Sequence, residues 1–319
     1  MIWLTWRHYR WMVALGMLAL VVLIPLFVLN ANTINAASQQ PDFAQCFNKD
    51  NSPCSLVVFP GMTTQTWYSL VIQTFPLLPF VVGIFLGAPL LAREYERRTH
   101  LFVWTQSVSS TRWLSVNLML VGGAVVLGFG TLSLVATWWS FIQDATVYSP
   151  WSTFTIRGSV LVANALFSLM FGVMIGAVIR RVLPAMVVTL LLLIPLQVAI
   201  SMSYPYLFPP SSQLDYNFKI VHGEVVGLLD DNPQDFIVWR GQVGADGKTP
   251  VDRLYNPCPD DKLTGEALRQ CNERSFHGLV KYHRFNEHFW PLQLVTTALL
   301  LALAALCTGV AYWQLRRFT

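Results

Sequence analysis

Three groups of residues in this chain have the types and spacing that could do chemistry. His277, His283, Glu287 and His288 are potential metal ligands gathered in a short stretch. Their spacing matches no established zinc pattern such as H-E-x-x-H, so histidines in water or at a membrane interface are the plainer reading, and no metal is expected. Gln242-Val-Gly-Ala-Asp-Gly-Lys-Thr249 ends like a phosphate-binding loop. However, Gln242 stands where the first glycine belongs, and Pro250 follows where a helix should continue. A polar turn is expected there, and no nucleotide site. The third group is Arg93 to Arg112, which opens with six basic and acidic groups in the eight residues Arg93–His100, between two apolar runs. A charge at the centre of a membrane helix costs about 2.5–3.5 kcal/mol. Arg93, Glu94, Glu96, Arg97 and Arg98 must therefore lie in water or against a partner.

The elements that must position these groups are membrane spans. Over 319 residues the chain is 54% hydrophobic and 12% charged, with a mean hydropathy of +0.48, far from a soluble globular chain. Runs long enough to cross about 30 Å of hydrocarbon occur at 11–29, 68–92, 113–141, 159–179, 182–204 and 291–315. The expected fold is all-α transmembrane, a six-helix polytopic membrane domain.

Lys and Arg accumulate in cytoplasmic connections. Arg7 and Arg10, Arg93 to Arg112, Arg180 and Arg181, and Arg316 and Arg317 all fall on the same side of successive spans. Both termini are therefore expected in the cytoplasm. The net charge of +4 reflects this basic rim and is no nucleic-acid signal. The first run is longer than the apolar core of a cleaved signal peptide, and Ala36-Ala37-Ser38 is a poor cleavage match, so a retained span is expected. Trp3, Trp6 and Tyr9 beside Arg7 and Arg10 suit either a helix along the inner surface or an aromatic belt anchoring the first span.

The domain boundaries follow: a membrane domain over 1–202, with the interfacial N-terminal helix and spans one to five; an external domain over 203–289; and span six with a cytoplasmic C-terminus over 290–319. Cys46 and Cys54 share the first outer loop, and Cys258 and Cys271 share the last. Four cysteines allow three pairings. Two local bridges need no contact between distant loops, and an extracellular setting permits oxidation, so a small disulfide-stapled external domain is expected between spans five and six. Within it, 235–243 has the pattern of a strand, and 263–272 could form a helix.

No Asp, Glu, Lys, Arg or His lies near the middle of a span, and the polar residues there are milder: Asn117, Asn164, Gln197 and Gln293. Intramembrane ionisable groups mark proton relays and ion-coupled carriers, so any transport here draws its energy from a partner. Gly83-Ile-Phe-Leu-Gly87 and Gly172-Val-Met-Ile-Gly176 are small-xxx-small pairs that let helices approach closely, either within one subunit or at a dimer seam. No acid/base pair or metal constellation lies at a membrane face, which argues against a membrane enzyme.

The stretch 88–97, then Thr99-His100, 104–108 and 112–114, resembles the cytoplasmic segment of bacterial ABC exporter permeases of the ABCG-like, six-span type with a separately encoded ATPase. Residues 282–285 and 289–293 are similar to the same subfamily, so the likeness extends over essentially the whole chain. The resemblance implies that the loop between spans two and three is a coupling helix docking on an ABC ATPase. Glu94, Tyr95, Glu96, Arg97, Thr99, Leu101 and Trp104 would make or orient that contact. It further implies that ATP and Mg are bound by the partner subunit, that this chain is no enzyme, and that it pairs with a second permease as homodimer or heterodimer in the lipid of a bacterial cell membrane. Arg98 stands where the family usually has Gly, and Arg adopts positive φ less readily. A different class of function is a non-transporting anchor or sensor, whose external domain binds a ligand and whose inner loop recruits a cytoplasmic protein.

Overall fold

The computed structural model describes residues 2–38, 57–58, 62–96, 110–144, 149–215, 219–221, 224–226, 235–244, 270 and 276–317. Among these, six helices are long and apolar enough to cross a membrane. The chain divides into two compact units, Met1–Ser203 with Gln293–Thr319, and Tyr204–Leu292.

In the first unit, α1 runs unbroken from Ile2 to Ser38. The stretch bearing Arg7 and Arg10 is thus part of the same continuous helix as the first span. A two-residue strand pair, β1 (Val57–Val58) and β2 (Met62–Thr63), precedes the second span. That span starts at Thr64, where Thr63 Oγ1 accepts the Thr66 N–H at 3.1 Å, satisfying one of the donors a helix start leaves open.

The second span is not a regular helix. It passes from α-helix (Thr64–Thr74) through a 3₁₀ turn (Phe75–Leu77) and one α turn (Leu78–Val81) into a π-helical stretch (Val82–Gly87), then back to α-helix (Ala88–Glu96). Pro76, Pro79 and Pro89 explain the changes, because each removes a ladder donor and crowds the preceding turn. The Ala88 N–H reaches back to Gly83 O, the wide register of a π turn.

The wide turn lays glycines against the fourth span (Ser159–Ile179). A Cβ on Gly83 would sit 2.7 Å from Ser168 O, and one on Gly172 would sit 2.8 Å from Ala88 N and also strike Gly83 O. Similarly, Gly87 lies against Leu169 O, and Gly176 against Ala88 O. The two small-xxx-small pairs interlock with each other inside one subunit, backbone on backbone.

The third span (Ser110–Asp144) ends in a connection that folds back into the bundle. Pro150, Trp151, Thr153, Phe154, Ile156 and Arg157 are buried. Thr137 Oγ1 accepts the Gly158 N–H at 3.0 Å, and Ser133 Oγ donates to Gly158 O. Gly158 has φ 66°, a conformation that a side chain strains. Gln293 Nε2 of the sixth span donates to Phe154 O at 2.6 Å. The Arg157 guanidinium lies 5.1 Å from the Phe141 ring centroid, a cation–π contact that offsets part of the cost of burying a charge. The fifth span (Val182–Ser203) follows the fourth after two residues, and the sixth is Phe285–Arg317.

The second unit holds an antiparallel sheet in the order β3 (Ser211–Asp215), β7 (Phe276–His283), β6 (Phe236–Gly244), with a bulge between Ile237 and Trp239. A further hairpin joins β4 (Lys219–Val221) to β5 (Glu224–Val226). The strand expected over 235–243 is β6. Of the helix expected over 263–272, only Gln270 is described. Cys46, Cys54, Cys258 and Cys271 lie outside the described residues; Cys307 is a buried free thiol.

His283 is fully buried, with Nε2 2.7 Å from Pro205 O. Burial holds its pKa below the ordinary 6.5, the Pro205 hydrogen bond opposes this, and the neighbouring His288 adds to the lowering. The folded unit therefore binds fewer protons than the unfolded chain, and its stability rises with pH. The contribution is present above about pH 6.5 and is lost as pH falls from there through the lowered folded pKa. We expect hydrogen-exchange protection of β7 to drop between about pH 7 and pH 5, and the His283→Gln protein to lose most of that dependence. An unchanged slope in His283→Gln would assign the effect to another group.

Candidate coupling surface

The residues at the end of the second span are placed by the glycine seam just before them. Ala88 packs on Gly176, so the next two turns, Ala88–Glu96, emerge beside the connection between spans four and five. Leu90 and Leu91 are buried with Leu114, Leu118, Ala177, Ala311 and Leu315, and Tyr95, Trp113 and Tyr312 close over this core. Ser115 Oγ lies 2.6 Å from Tyr312 Oη, tying span three to span six. The span ends that flank this core carry Arg93, Arg112, Arg180, Arg181, Arg316 and Arg317, with Glu94 and Glu96.

Of the residues proposed to meet an ATPase, Glu94 and Tyr95 are half-buried and Glu96 is exposed. Arg97, Thr99, Leu101 and Trp104 lie outside the described residues, as does Arg98. Two contacts at this end join residues far apart in sequence. The Val182 N–H donates to Glu96 Oε2 at 2.9 Å, and the Arg180 guanidinium stands 5.3 Å over the Tyr95 ring. Val182 is the first residue of the fifth span, so the Glu96 carboxylate caps that helix, where its open N–H groups and dipole favour a negative charge.

Arg180 is the described non-glycine residue with positive φ, at 59°. It ends the fourth span in a left-handed cap, its N–H bonded to Gly176 O at 3.0 Å. Glycine is the usual residue in such a cap, and a side chain there costs about 1–2 kcal/mol. The compensating feature is the Tyr95 contact, worth roughly 0.5–2 kcal/mol by its type.

Neither contact was legible in the sequence, because Glu96 and Val182 stand 86 residues apart and Tyr95 and Arg180 are separated by a similar length of chain. The available signal was weak: an acid at the end of a span, and a two-residue hairpin with no room for a cap of its own. The polar residues within the spans prove to be packing contacts. Gln197 Nε2 donates to Asn164 Oδ1 and reaches Ser168 Oγ at 3.4 Å, and Asn117 Nδ2 donates to Trp113 O at 3.0 Å. The Gln197 bonds join the fifth span to the fourth, and interhelical bonds of this kind commonly hold membrane helices together, whereas the Asn117 bond lies within the third span.

Among the described residues no group of His, Cys, Asp or Glu is placed to hold a metal ion. His283 and His288 meet edge-on with centroids 5.3 Å apart, and Glu287 pairs with Arg284 at 3.2 Å.

No curated protein and no solved structure matches this chain. Residues 17–204, from within the first span to just beyond the fifth, match the family described as ABC-2 membrane transporter related, whose membrane proteins generally work with an ATPase partner. The chain belongs to this ABC-2 membrane transporter related family, as a multi-pass permease subunit of an ABC transporter.

Proposed function

We propose that this permease is the membrane subunit of an ATP-driven exporter whose ATPase is a separate chain docking at the basic end of the bundle. The observation that carries the reading is the convergence there of the second-span terminus, the hairpin between spans four and five, and the ends of spans three and six. The second span ends at Glu96 and the third begins at Ser110.

In this reading ATP and Mg belong to the partner, and this chain supplies the coupling segment around Glu94, Tyr95, Glu96, Arg97, Thr99, Leu101 and Trp104. It works as a dimer of six-span subunits, with the same or a second permease, in a bacterial cell membrane with both termini cytoplasmic. The apolar outer faces of the spans suit a hydrophobic or amphipathic cargo.

Co-expression with an ABC ATPase, should a neighbouring gene encode one, tests the proposal. We expect the two chains to purify together and Glu94→Lys to cut stimulated ATP hydrolysis about tenfold, the effect of roughly 1.4 kcal/mol. The proposal fails if no complex survives purification, or if Glu94→Lys leaves stimulation unchanged.

A further inference from the structure

We propose that Glu96 and Arg180 are positioning residues forming a latch, which makes the end of the second span and the hairpin between spans four and five one mechanical piece. Any displacement of the coupling segment is thereby delivered to the start of the fifth span. The inference rests on the functional reading above and adds the route by which force leaves the docking surface.

Three observations converge on it. Glu96 Oε2 accepts the first N–H of the fifth span, so the second span holds that helix by its end as well as packing along its side. Arg180 keeps a left-handed backbone that glycine would hold without strain, and its guanidinium is spent on the Tyr95 ring, next to Glu96. One turn deeper, Gly176 and Ala88 are in backbone contact, so the helices cannot slide past each other there without separating. Arg180-Arg181 alone separates spans four and five, so a pull on Val182 has little slack to absorb it. Glu96, exposed but already engaged with Val182, acts here within the subunit.

Arg180→Gly is the informative substitution, because it removes the Tyr95 contact while relieving the backbone. A purely structural Arg180 predicts a variant at least as stable and as active as the parent. The latch predicts a stable protein that couples poorly. The experiment uses the full permease–ATPase complex in lipid nanodiscs and reads three quantities: ATPase retained on purification, permease-stimulated ATP hydrolysis, and ATP-induced change in hydrogen exchange over 182–190.

Arg180→Gly should retain the ATPase at the parental level, lose roughly five- to tenfold in stimulation, within the usual range of coupling between sites, and lose the ATP-induced exchange change in the fifth span; Glu96→Ala should lose the same exchange change. Arg180→Lys, which keeps a cation over Tyr95, should restore most of both. If stimulation and the exchange change stay at parental values in Arg180→Gly, the latch is wrong. If Arg180→Gly sheds the ATPase that the parental chain retains, Arg180 belongs to the docking contact and the latch is likewise wrong. Failure of the parental chain to retain any ATPase would overturn the functional reading, and the latch with it.

Discussion

Gly172→Val is expected to abolish the native packing of the membrane unit, while Gly128→Ala leaves it intact or slightly stabilised. The contrast comes from what each new carbon would meet. At Gly172 a Cβ strikes Gly83 O and comes within 2.8 Å of Ala88 N, all backbone and unable to rotate away. Overpacking a fitted core costs about 1–3 kcal/mol where side chains can adjust, and here only separation of the two helices gives relief. That separation would also undo the neighbouring approaches of Gly83 to Ser168 and of Gly87 to Leu169. At Gly128 nothing lies within 4 Å of the added carbon, and Ala is favoured over Gly in a helix by roughly 0.5–1 kcal/mol. Thermal unfolding followed by fluorescence-detected size exclusion in detergent distinguishes the two. A native-like melting temperature for Gly172→Val would refute the seam.

The second large effect concerns the other buried cluster of the membrane unit. Trp139 is fully buried, its Nε1 donating to Asn30 Oδ1 at 2.8 Å, with Phe27 edge-on at 5.3 Å and Tyr68 at 6.0 Å. Trp139→Ala should destabilise the unit by roughly 3–5 kcal/mol, the range for removing a buried large aromatic. Trp139→Phe keeps most of the ring contacts but leaves the Asn30 carbonyl oxygen without this donor, at about 1–3 kcal/mol. The expected order of melting temperatures is therefore parental, Trp139→Phe, Trp139→Ala. Equal values for parental and Trp139→Phe would show that the Asn30 bond contributes little and that ring packing carries the cluster.

The spans were legible because length and apolarity alone define them, and the six helices begin and end within a few to about ten residues of the apolar runs. The prolines of the second span announced its irregularity, but not that a π turn would aim Gly83 and Gly87 at the fourth span. Small-xxx-small spacing says that a helix can be approached closely and is silent on which helix approaches. The fold-back before Gly158 was hidden for another reason. Its mixture of Pro, Ser, Thr and Arg has the composition of an exposed loop, yet Arg157 is buried against Phe141, because tertiary contacts can offset the cost of one charge in a way no local pattern records. At the candidate surface, Glu94, Tyr95 and Glu96 were singled out by resemblance. Their contacts with the hairpin between spans four and five depend on the glycine seam, which only the assembled bundle reveals.

The central claim is that a partner ATPase docks at the basic end of this bundle. Site-specific photo-crosslinking in native membranes addresses it most directly, with a photoreactive residue at the exposed positions Arg112 or Arg181 on that end, and Ala36 or Ser203 at the other. The account predicts an ATPase adduct from positions 112 and 181 and none from 36 and 203. Adducts from 36 or 203, or none from any position in a complex that hydrolyses ATP, would contradict it.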